Sequence, residues 1–235
     1  MKIYVILPIL SHRGFEELTN KEFKAAARPD TDILVKSIRK GPASIESKYD
    51  EEIAAPWILE EVVNAEKQGY DAVIIDCMGD PSLHAAREIA TIPVIGPCEA
   101  SMAIASIISH KFSVVTVLTN IVRLFDEMVK VYGFDSKFVS TRSVEVPVLD
   151  LEKQRKEVEE ALVSESRKAL EEGADTIILG CTGMIGMAKA LEEKLGVPVI
   201  DPAVASLKLA EILVDMKLTH SKVYYPKPPE KQRVT

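Results

Sequence analysis

The feature that most constrains this chain is a repeated segment in which an apolar run ends at a cysteine. Residues 69–79 read Gly-Tyr-Asp-Ala-Val-Ile-Ile-Asp-Cys-Met-Gly, and residues 173–183 read Gly-Ala-Asp-Thr-Ile-Ile-Leu-Gly-Cys-Thr-Gly. Cys77 and Cys181 are 104 residues apart, and the aspartate six residues before each cysteine keeps the same spacing. The chain therefore contains two copies of one unit, each with a thiol at the same place.

The repeat continues beyond the cysteines. Pro93-Val-Ile-Gly-Pro97 corresponds to Pro198-Val-Ile-Asp-Pro202, and an Ala-Ser pair follows each segment. A chain of 235 residues is long for one domain and short for two full ones, which fits two half-size lobes. We expect an N-terminal lobe over residues 1–98 and a C-terminal lobe over 99–205, with segment 206–235 free to pack back on the first.

Short apolar runs alternate with longer amphipathic stretches along both copies. Ile3 to Leu7 and Thr176 to Leu179 are continuous runs of the kind buried on both faces of a parallel sheet. Strands that alternate with helices predict an α/β fold. We therefore expect two pseudo-symmetric lobes, each a short parallel sheet flanked by helices, with the active site in the cleft between them. Ligands of such sheets bind at the carboxyl ends of the strands, where both cysteines stand.

Composition excludes several classes of function. The net charge is −7 and no basic stripe stands out, which argues against nucleic acid as a partner. No apolar run is long enough to cross a bilayer, so we expect no membrane partner. There are three cysteines and no Cys-x-x-Cys pair, a usage typical of a cytoplasmic protein with free thiols.

The two repeated cysteines carry the functional hypothesis. A single cysteine after a strand is most often a small buried hydrophobic residue. Here each thiol precedes a turn and a helix start, where positive potential lowers a thiol pKa. A pseudo-twofold axis would also direct Cys77 and Cys181 at one point between the lobes.

Two acid/base groups on opposite sides of one ligand suit racemisation at a carbon next to a carbonyl. One thiolate removes the α-proton from one face, and the opposite thiol donates a proton to the other. This chemistry needs no cofactor and no metal, and the sequence shows no metal-ligand cluster, P-loop or dinucleotide motif.

Further candidate residues lie beside the cysteines or at the same predicted sheet edge. Amides and hydroxyls there could stabilise charge on a substrate carbonyl oxygen. His12 and His84 are interpreted as surface residues. Cys98 is interpreted as structural because its repeat partner is Ala203, and Asp80 as the N-cap of the helix that follows it. The candidate substrate-binding residues are Ser11, Met78, Gly79, Thr116, Thr119, Thr182 and Gly183.

Several segments resemble the aspartate/glutamate racemase superfamily, and within it the hydantoin racemase branch. The resemblance implies cofactor-independent racemisation of 5-substituted hydantoins, with Cys77 and Cys181 as the acid/base residues. It also implies a cytoplasmic homo-oligomer. The segments that carry it are Ile75-Asp-Cys-Met-Gly-Asp-Pro-Ser-Leu-His-Ala-Ala-Arg-Glu88, Pro93-Val-Ile-Gly-Pro-Cys-Glu-Ala100, Phe112-Ser-Val-Val-Thr-Val-Leu118 and Leu179-Gly-Cys-Thr-Gly-Met184.

Two departures from the family pattern concern the substrate. The first strand of that family commonly leads into a polar Asn-Pro-Asn-Thr-like stretch, which here reads Leu7-Pro-Ile-Leu-Ser11. The Thr-Thr pair expected after Val115 is Thr116-Val117. Both changes remove polar contacts and favour a more apolar substrate side chain or a different acid.

Other interpretations stay open on the sequence alone. The same fold serves aspartate, glutamate and allantoin racemases and maleate-type isomerases. A non-catalytic protein that binds a small ligand between two lobes would show the same pattern of strands and helices.

Overall fold

The structure is a computed structural model that describes residues 1–11 and 14–232. His12, interpreted as a surface residue, lies outside the described residues. So do the last three residues of the predicted C-terminal segment.

The strands of the described residues are short and mostly apolar. Those that precede the two cysteines are buried along their whole length, as the continuous apolar runs predict. The strands are β1 (Lys2–Leu7), β2 (Asp32–Ser37), β3 (Ala72–Ile75), β4 (Val94–Ile95), β5 (Phe112–Thr116), β6 (Phe138–Ser143), β7 (Thr176–Leu179) and β8 (Val199–Ile200).

The helices alternate with these strands. Their starts follow local chemistry: Pro97 and Pro202 begin helices at positions where a missing N–H costs nothing, and Asp201 accepts the amides of Ala203 and Val204. The helices are α1 (Phe15–Ala26), α2 (Lys48–Lys67), α3 (Leu83–Ile89), α4 (Pro97–Ile108), α5 (Val122–Val131), α6 (Arg155–Glu171), α7 (Ala188–Leu195) and α8 (Pro202–Asp215).

The strands form two parallel four-stranded sheets with the same topology. The first sheet has the order β2-β1-β3-β4 and the second has the order β6-β5-β7-β8. In the first, Ile3 pairs with Ala72, and in the second Phe112 pairs with Thr176. The predicted fold class is confirmed, and the sequence repeat corresponds to a repeat of sheet topology.

Two helices cross between the sheets. Cys98, Met102 and Ala105 of α4 belong to the core around the second sheet. Ala203, Leu207 and Ala210 of α8 pack in the core beneath the first sheet. Helix α4 thus starts at the end of the first sheet and is buried by the second, while α8 follows the second sheet and covers the first.

Some predicted boundaries differ from the structure. The helix start expected directly after the Cys181 turn comes later, at Ala188, because Thr182–Met184 forms a 3-10 turn and Gly186 takes a φ of 78°. The prediction that Asp80 caps the next helix was wrong. Its carboxylate instead accepts the amides of Cys98 and Glu99 at the start of α4, each at 3.0 Å.

The segment after α8 packs on the α3 side of the first sheet. Thr219 Oγ1 donates to the Thr91 carbonyl oxygen at 2.9 Å, and His220 Nε2 accepts the Val94 amide at 2.8 Å. Tyr225 lies against Arg87, with 3.2 Å between its hydroxyl and Nη1.

No helix within the described ranges is both long and apolar enough to cross a membrane.

Candidate active site

A small cavity lies where strands β3 and β7 end, and both repeated cysteines line it. Its volume is about 60 Å³, well below the roughly 300–1,000 Å³ of sites for drug-sized ligands, so it fits a small molecule. Most of its wall is apolar. The lining residues are Leu7, Pro8, Ile9, Phe15, Ile45, Ser47, Glu51, Asp76, Cys77, Met78, Gly79, Val117, Ile121, Leu124, Phe125, Val148, Gly180, Cys181, Thr182 and Gly183.

The turn after β3 shapes the surroundings of Cys77. The Gly79 amide lies 3.4 Å from Cys77 Sγ and donates to it, and the Asp80 amide donates to the Cys77 carbonyl oxygen at 3.0 Å. Asp80 and Ser82 take φ values of 45° and 61°, in the left-handed region that non-glycine residues seldom adopt. This tight turn aims an amide at the thiol.

Cys181 occupies the matching place after β7. Gly180 before it packs so closely on β5 that a Cβ there would lie 2.6 Å from Thr116 Cβ. The 3-10 turn that follows directs the Gly183 amide at the Cys181 thiol, and this hydrogen bond favours the thiolate. The two cysteines therefore share one arrangement, a buried strand followed by a turn with an amide donor.

The thiol pKa values differ from the sequence prediction, which expected them to be lowered. Burial is the largest effect and raises the pKa of Cys77 well above its usual range and that of Cys181 to about 12. The amides of Gly79 and Gly183 oppose this shift. The low dielectric around the cavity outweighs the two amide donors, so both residues are thiols near neutral pH.

Two buried carboxyl groups also line the cavity, and the sequence analysis did not select either. Asp76 is 5% exposed and Glu51 is 3% exposed, and each has one oxygen without a hydrogen-bond partner. Burial raises the pKa of Asp76 to about 8, with a further contribution from Asp201. An acid at the end of an apolar run was the available signal for Asp76. Its repeat partner is Gly180, so the repeat gives Asp76 no equivalent acid and no reason to be selected.

The two halves of the site are joined by a hydrogen bond. Thr182 Oγ1 donates to the Asp76 carbonyl oxygen at 3.2 Å, linking the turn after β7 to the end of β3. The predicted residues Met78, Gly79, Thr182 and Gly183 all lie on the cavity wall beside the cysteines.

The other predicted binding residues lie outside the wall of the cavity. Thr116 is fully buried and its hydroxyl donates to the Gly180 carbonyl oxygen at 3.0 Å. Thr119 Oγ1 lies 3.0 Å from Ser143 Oγ, at the surface, and Ser11 is exposed. Cys98, interpreted as structural, is buried in the core of the second sheet.

The chemistry of the wall limits what the cavity can hold. Among its described residues there is no lysine, arginine or histidine. In residues 1–11 and 14–232 there is also no group of three or more histidine, cysteine, aspartate or glutamate side chains able to hold a metal ion.

The sequence of this chain matches a known protein family. The sequence profile of the Asp/Glu/Hydantoin racemase family matches residues 5–210. A hydantoin racemase from Pseudomonas sp. (strain NS671) is 44% identical over 236 residues, covering 99% of this chain and 93% of that protein.

Solved structures of two allantoin racemases have the same fold over the whole chain. The Klebsiella pneumoniae protein superimposes with a TM-score of 0.94 at 37% identity, covering 100% of this chain and 96% of that one. The Pseudomonas fluorescens protein superimposes with a TM-score of 0.95 at 31% identity and covers 100% of both chains. This chain belongs to the Asp/Glu/hydantoin racemase family of isomerases.

Proposed function

We propose that this protein is a cofactor-independent racemase of 5-substituted hydantoins that moves protons between its substrate and two cysteines. The observation that carries the proposal is the cavity itself: Cys77 and Cys181 both line it, and each has an amide donor from its own turn. Each turn can hold a sulfur in either protonation state, which a residue alternating between base and acid requires.

The reaction follows from this pairing. One thiolate removes the proton at carbon 5, leaving an enolate on the adjacent ring carbonyl and a neutral thiol. The opposite thiol then delivers its proton to the other face of carbon 5 and becomes the thiolate. The Thr182 hydroxyl and the turn amides lie on the same wall and are available to stabilise the enolate oxygen. After one turnover the proton has moved from one cysteine to the other, so the enzyme is ready for the reverse reaction.

The wall of the cavity supports a neutral substrate with an apolar substituent. The apolar residues of the wall are placed to contact a bound ligand. They include Leu7, Ile9, Phe15, Leu124 and Phe125. Aspartate and glutamate carry several charges and would meet no cationic side chain among the described wall residues. Allantoin bears a polar ureido substituent, which fits an apolar wall less well than an alkyl group.

The proposal is tested by isotope exchange and by single cysteine variants. In deuterium oxide, the wild-type protein should place deuterium at carbon 5 of the enantiomer it forms from 5-isopropylhydantoin. Cys77→Ser and Cys181→Ser should each lower the racemisation rate by about 10²–10⁴-fold, because a general acid/base group contributes that much. Polarimetry and proton NMR measure the two outcomes.

Cys98→Ser is the matched control, since that thiol lies in the core and not on the cavity wall. It should keep the wild-type rate. Full racemisation by either cavity variant would refute the two-cysteine scheme. Racemisation of allantoin or glutamate with no turnover of the hydantoin would instead refute the substrate assignment.

We further propose that the protein works as a cytoplasmic homo-oligomer and that residues 1–98 and 99–205 are its two lobes. Free thiols suit a reducing compartment. Light scattering in solution tests the oligomeric state, and a monomer at working concentration would contradict it.

A further inference from the structure

The carboxyl groups of Glu51 and Asp76 line the cavity and have no place in the proton transfer of the proposed reaction. The carboxyl group of Glu51 is almost fully buried and lies beside Cys77 on the wall. Lys48 Nζ donates to Glu51 Oε2 at 2.6 Å, whereas Oε1 is buried and has no hydrogen-bond partner. Because a buried acceptor without a partner is costly, the position of Oε1 requires an explanation.

The helix does not supply that explanation. Glu51 is in the first turn of α2, where an acid often serves as a cap. Here the capping is done by its neighbours: the Asp50 amide donates to Ser47 Oγ at 3.2 Å, and Ser47 Oγ donates to Asp50 Oδ2 at 2.7 Å. The start of the helix is therefore complete without Glu51.

Gly79 leaves room for this oxygen. A Cβ at Gly79 would overlap Glu51 Oε1, so only glycine at that position accommodates the carboxyl group. The glycine that aims its amide at the Cys77 thiol is the same residue that admits Glu51. Oε1 therefore lies against Gly79, the residue whose amide donates to the Cys77 thiol.

A second buried glutamate on the same helix shows the ordinary arrangement. Glu61 is 4% exposed and lies outside the cavity wall. Tyr4 donates to its Oε2 at 2.5 Å, and Lys36 Nζ lies 3.1 Å from its Oε1. Both oxygens of Glu61 have partners within the protein, whereas Oε1 of Glu51, a residue of the cavity wall, has none.

We propose that Glu51 determines specificity by accepting, at Oε1, an N–H of the substrate ring, and that the same carboxylate excludes ligands that carry a carboxylate of their own. This inference rests on the proposed hydantoin racemase function and assigns the polar side of that ligand. A hydantoin ring offers two N–H groups next to its carbonyls and has no net charge. Burial raises the pKa of Glu51, whereas the Lys48 ammonium group at 2.6 Å lowers it and favours the carboxylate.

The test compares 5-isopropylhydantoin with its two N-methyl derivatives, using calorimetric binding to the full-length protein. In the wild type, methylation of the contacted nitrogen should weaken binding about 10- to 100-fold, because a hydrogen bond to a charged acceptor is lost. In Glu51→Leu, 5-isopropylhydantoin and the derivative methylated at the contacted nitrogen should bind within about threefold of each other. Leucine keeps most of the bulk of glutamate, so a purely steric penalty on the methyl group would persist in this variant.

Glu61→Gln is the matched control and should discriminate between the ligands as the wild type does. Glu51→Gln keeps the shape and removes the charge, and it provides an independent measurement if the leucine variant does not fold. It should bind the ring-opened N-carbamoyl acid of the same side chain at least tenfold more tightly than the wild type. Unchanged discrimination in Glu51→Leu, or no gain for the anion in Glu51→Gln, would overturn the role of Glu51.

The same samples separate this inference from the function on which it rests. Glu51-dependent discrimination without racemisation in the wild type would refute the racemase proposal and leave the role of Glu51 standing. Racemisation with discrimination that does not depend on Glu51 would refute the role of Glu51 and leave the racemase proposal standing. A wild-type protein that binds no hydantoin would refute both.

Discussion

Among single residues, burial determines the protonation state of the two cysteines in the free protein. Their amide partners favour a thiolate, but removal from water raises both pKa values, and the nearby carboxyl groups of Glu51 and Asp76 act in the same direction. An enzyme of this kind starts with two thiols and must form one thiolate before it can act. Hydrogen-bond donors of a bound ligand would favour the thiolate, whereas further loss of water would oppose it.

The raised pKa values predict how fast the thiols react with an alkylating agent. Only the thiolate is nucleophilic, so its fraction, and with it the iodoacetamide alkylation rate of Cys77 and Cys181, should rise about tenfold per pH unit between pH 7 and 9. Mass spectrometry of the two peptides in Cys98→Ser protein measures each rate. A rate that levels off below pH 8 would show that the thiol pKa values are lowered instead.

The ends of β3 and β7 differ at the scale of single elements, although their sequences repeat. Position 76 carries an aspartate whose carboxyl group lines the cavity, whereas its repeat partner Gly180 has no room for a side chain. Thr116 fills that space and donates to the Gly180 carbonyl oxygen. Thr116 therefore supports the Cys181 turn from behind and is not placed to meet the ligand.

Gly180→Ala should destabilise the protein by about 1–3 kcal/mol, because the added methyl group would lie 2.6 Å from Thr116 Cβ and 2.7 Å from Thr116 Cα. It should also lower the racemisation rate by shifting Cys181. Urea unfolding and polarimetry measure the two effects.

Gly196→Ala is the comparison for Gly180→Ala. The methyl group there meets no atom within 4 Å, and the φ of 72° alone opposes it. This variant should lose stability but keep the wild-type rate. Equal rates in the two variants would show that the packing behind Cys181 does not position it.

The crossing of α4 and α8 ties the two sheets together at the scale of the whole molecule. Asp80, in the turn after Cys77, accepts the first amides of α4 and the Tyr132 hydroxyl at 2.8 Å, so one carboxylate joins three elements. Beyond α8, the chain returns to the first sheet and its neighbour α3 through Thr219, His220 and Tyr225.

A chain that ends at Leu218 should unfold at a lower temperature at pH 8, by about 3–10 °C for a loss of 1–3 kcal/mol. Burial lowers the pKa of His220 to about 4, and its neutral Nε2 accepts the Val94 amide. Unfolding raises that pKa towards its usual value near 6.5, so the contribution of His220 is present above pH 6.5 and is lost as the pH falls towards 4.

Scanning calorimetry of the intact and shortened chains measures this difference. The gap between their unfolding temperatures should narrow from pH 8 to pH 5. A gap of zero at pH 8 would show that the segment adds nothing to stability.

Local patterns in the sequence predict most of the strands and helices and the equivalence of the two thiols. Apolar runs such as Thr176 to Leu179 predict buried strands because burial on both faces leaves a local pattern, and the 104-residue spacing predicts equivalent places for Cys77 and Cys181. The turn residues next to each cysteine could be selected for the same reason, since they lie on the cavity wall with it.

Only the tertiary structure decided which other side chains reach the cavity and what burial does to their charges. Glu51 lies in α2 and precedes Cys77 by 26 residues. The Thr116 hydroxyl donates to a backbone carbonyl oxygen and does not line the cavity. The thiol pKa values moved opposite to the prediction, because a local turn sets the amide donors but the packing of both sheets sets the dielectric environment. Local sequence patterns predict where strands and turns form, whereas desolvation depends on atoms brought together from the whole chain.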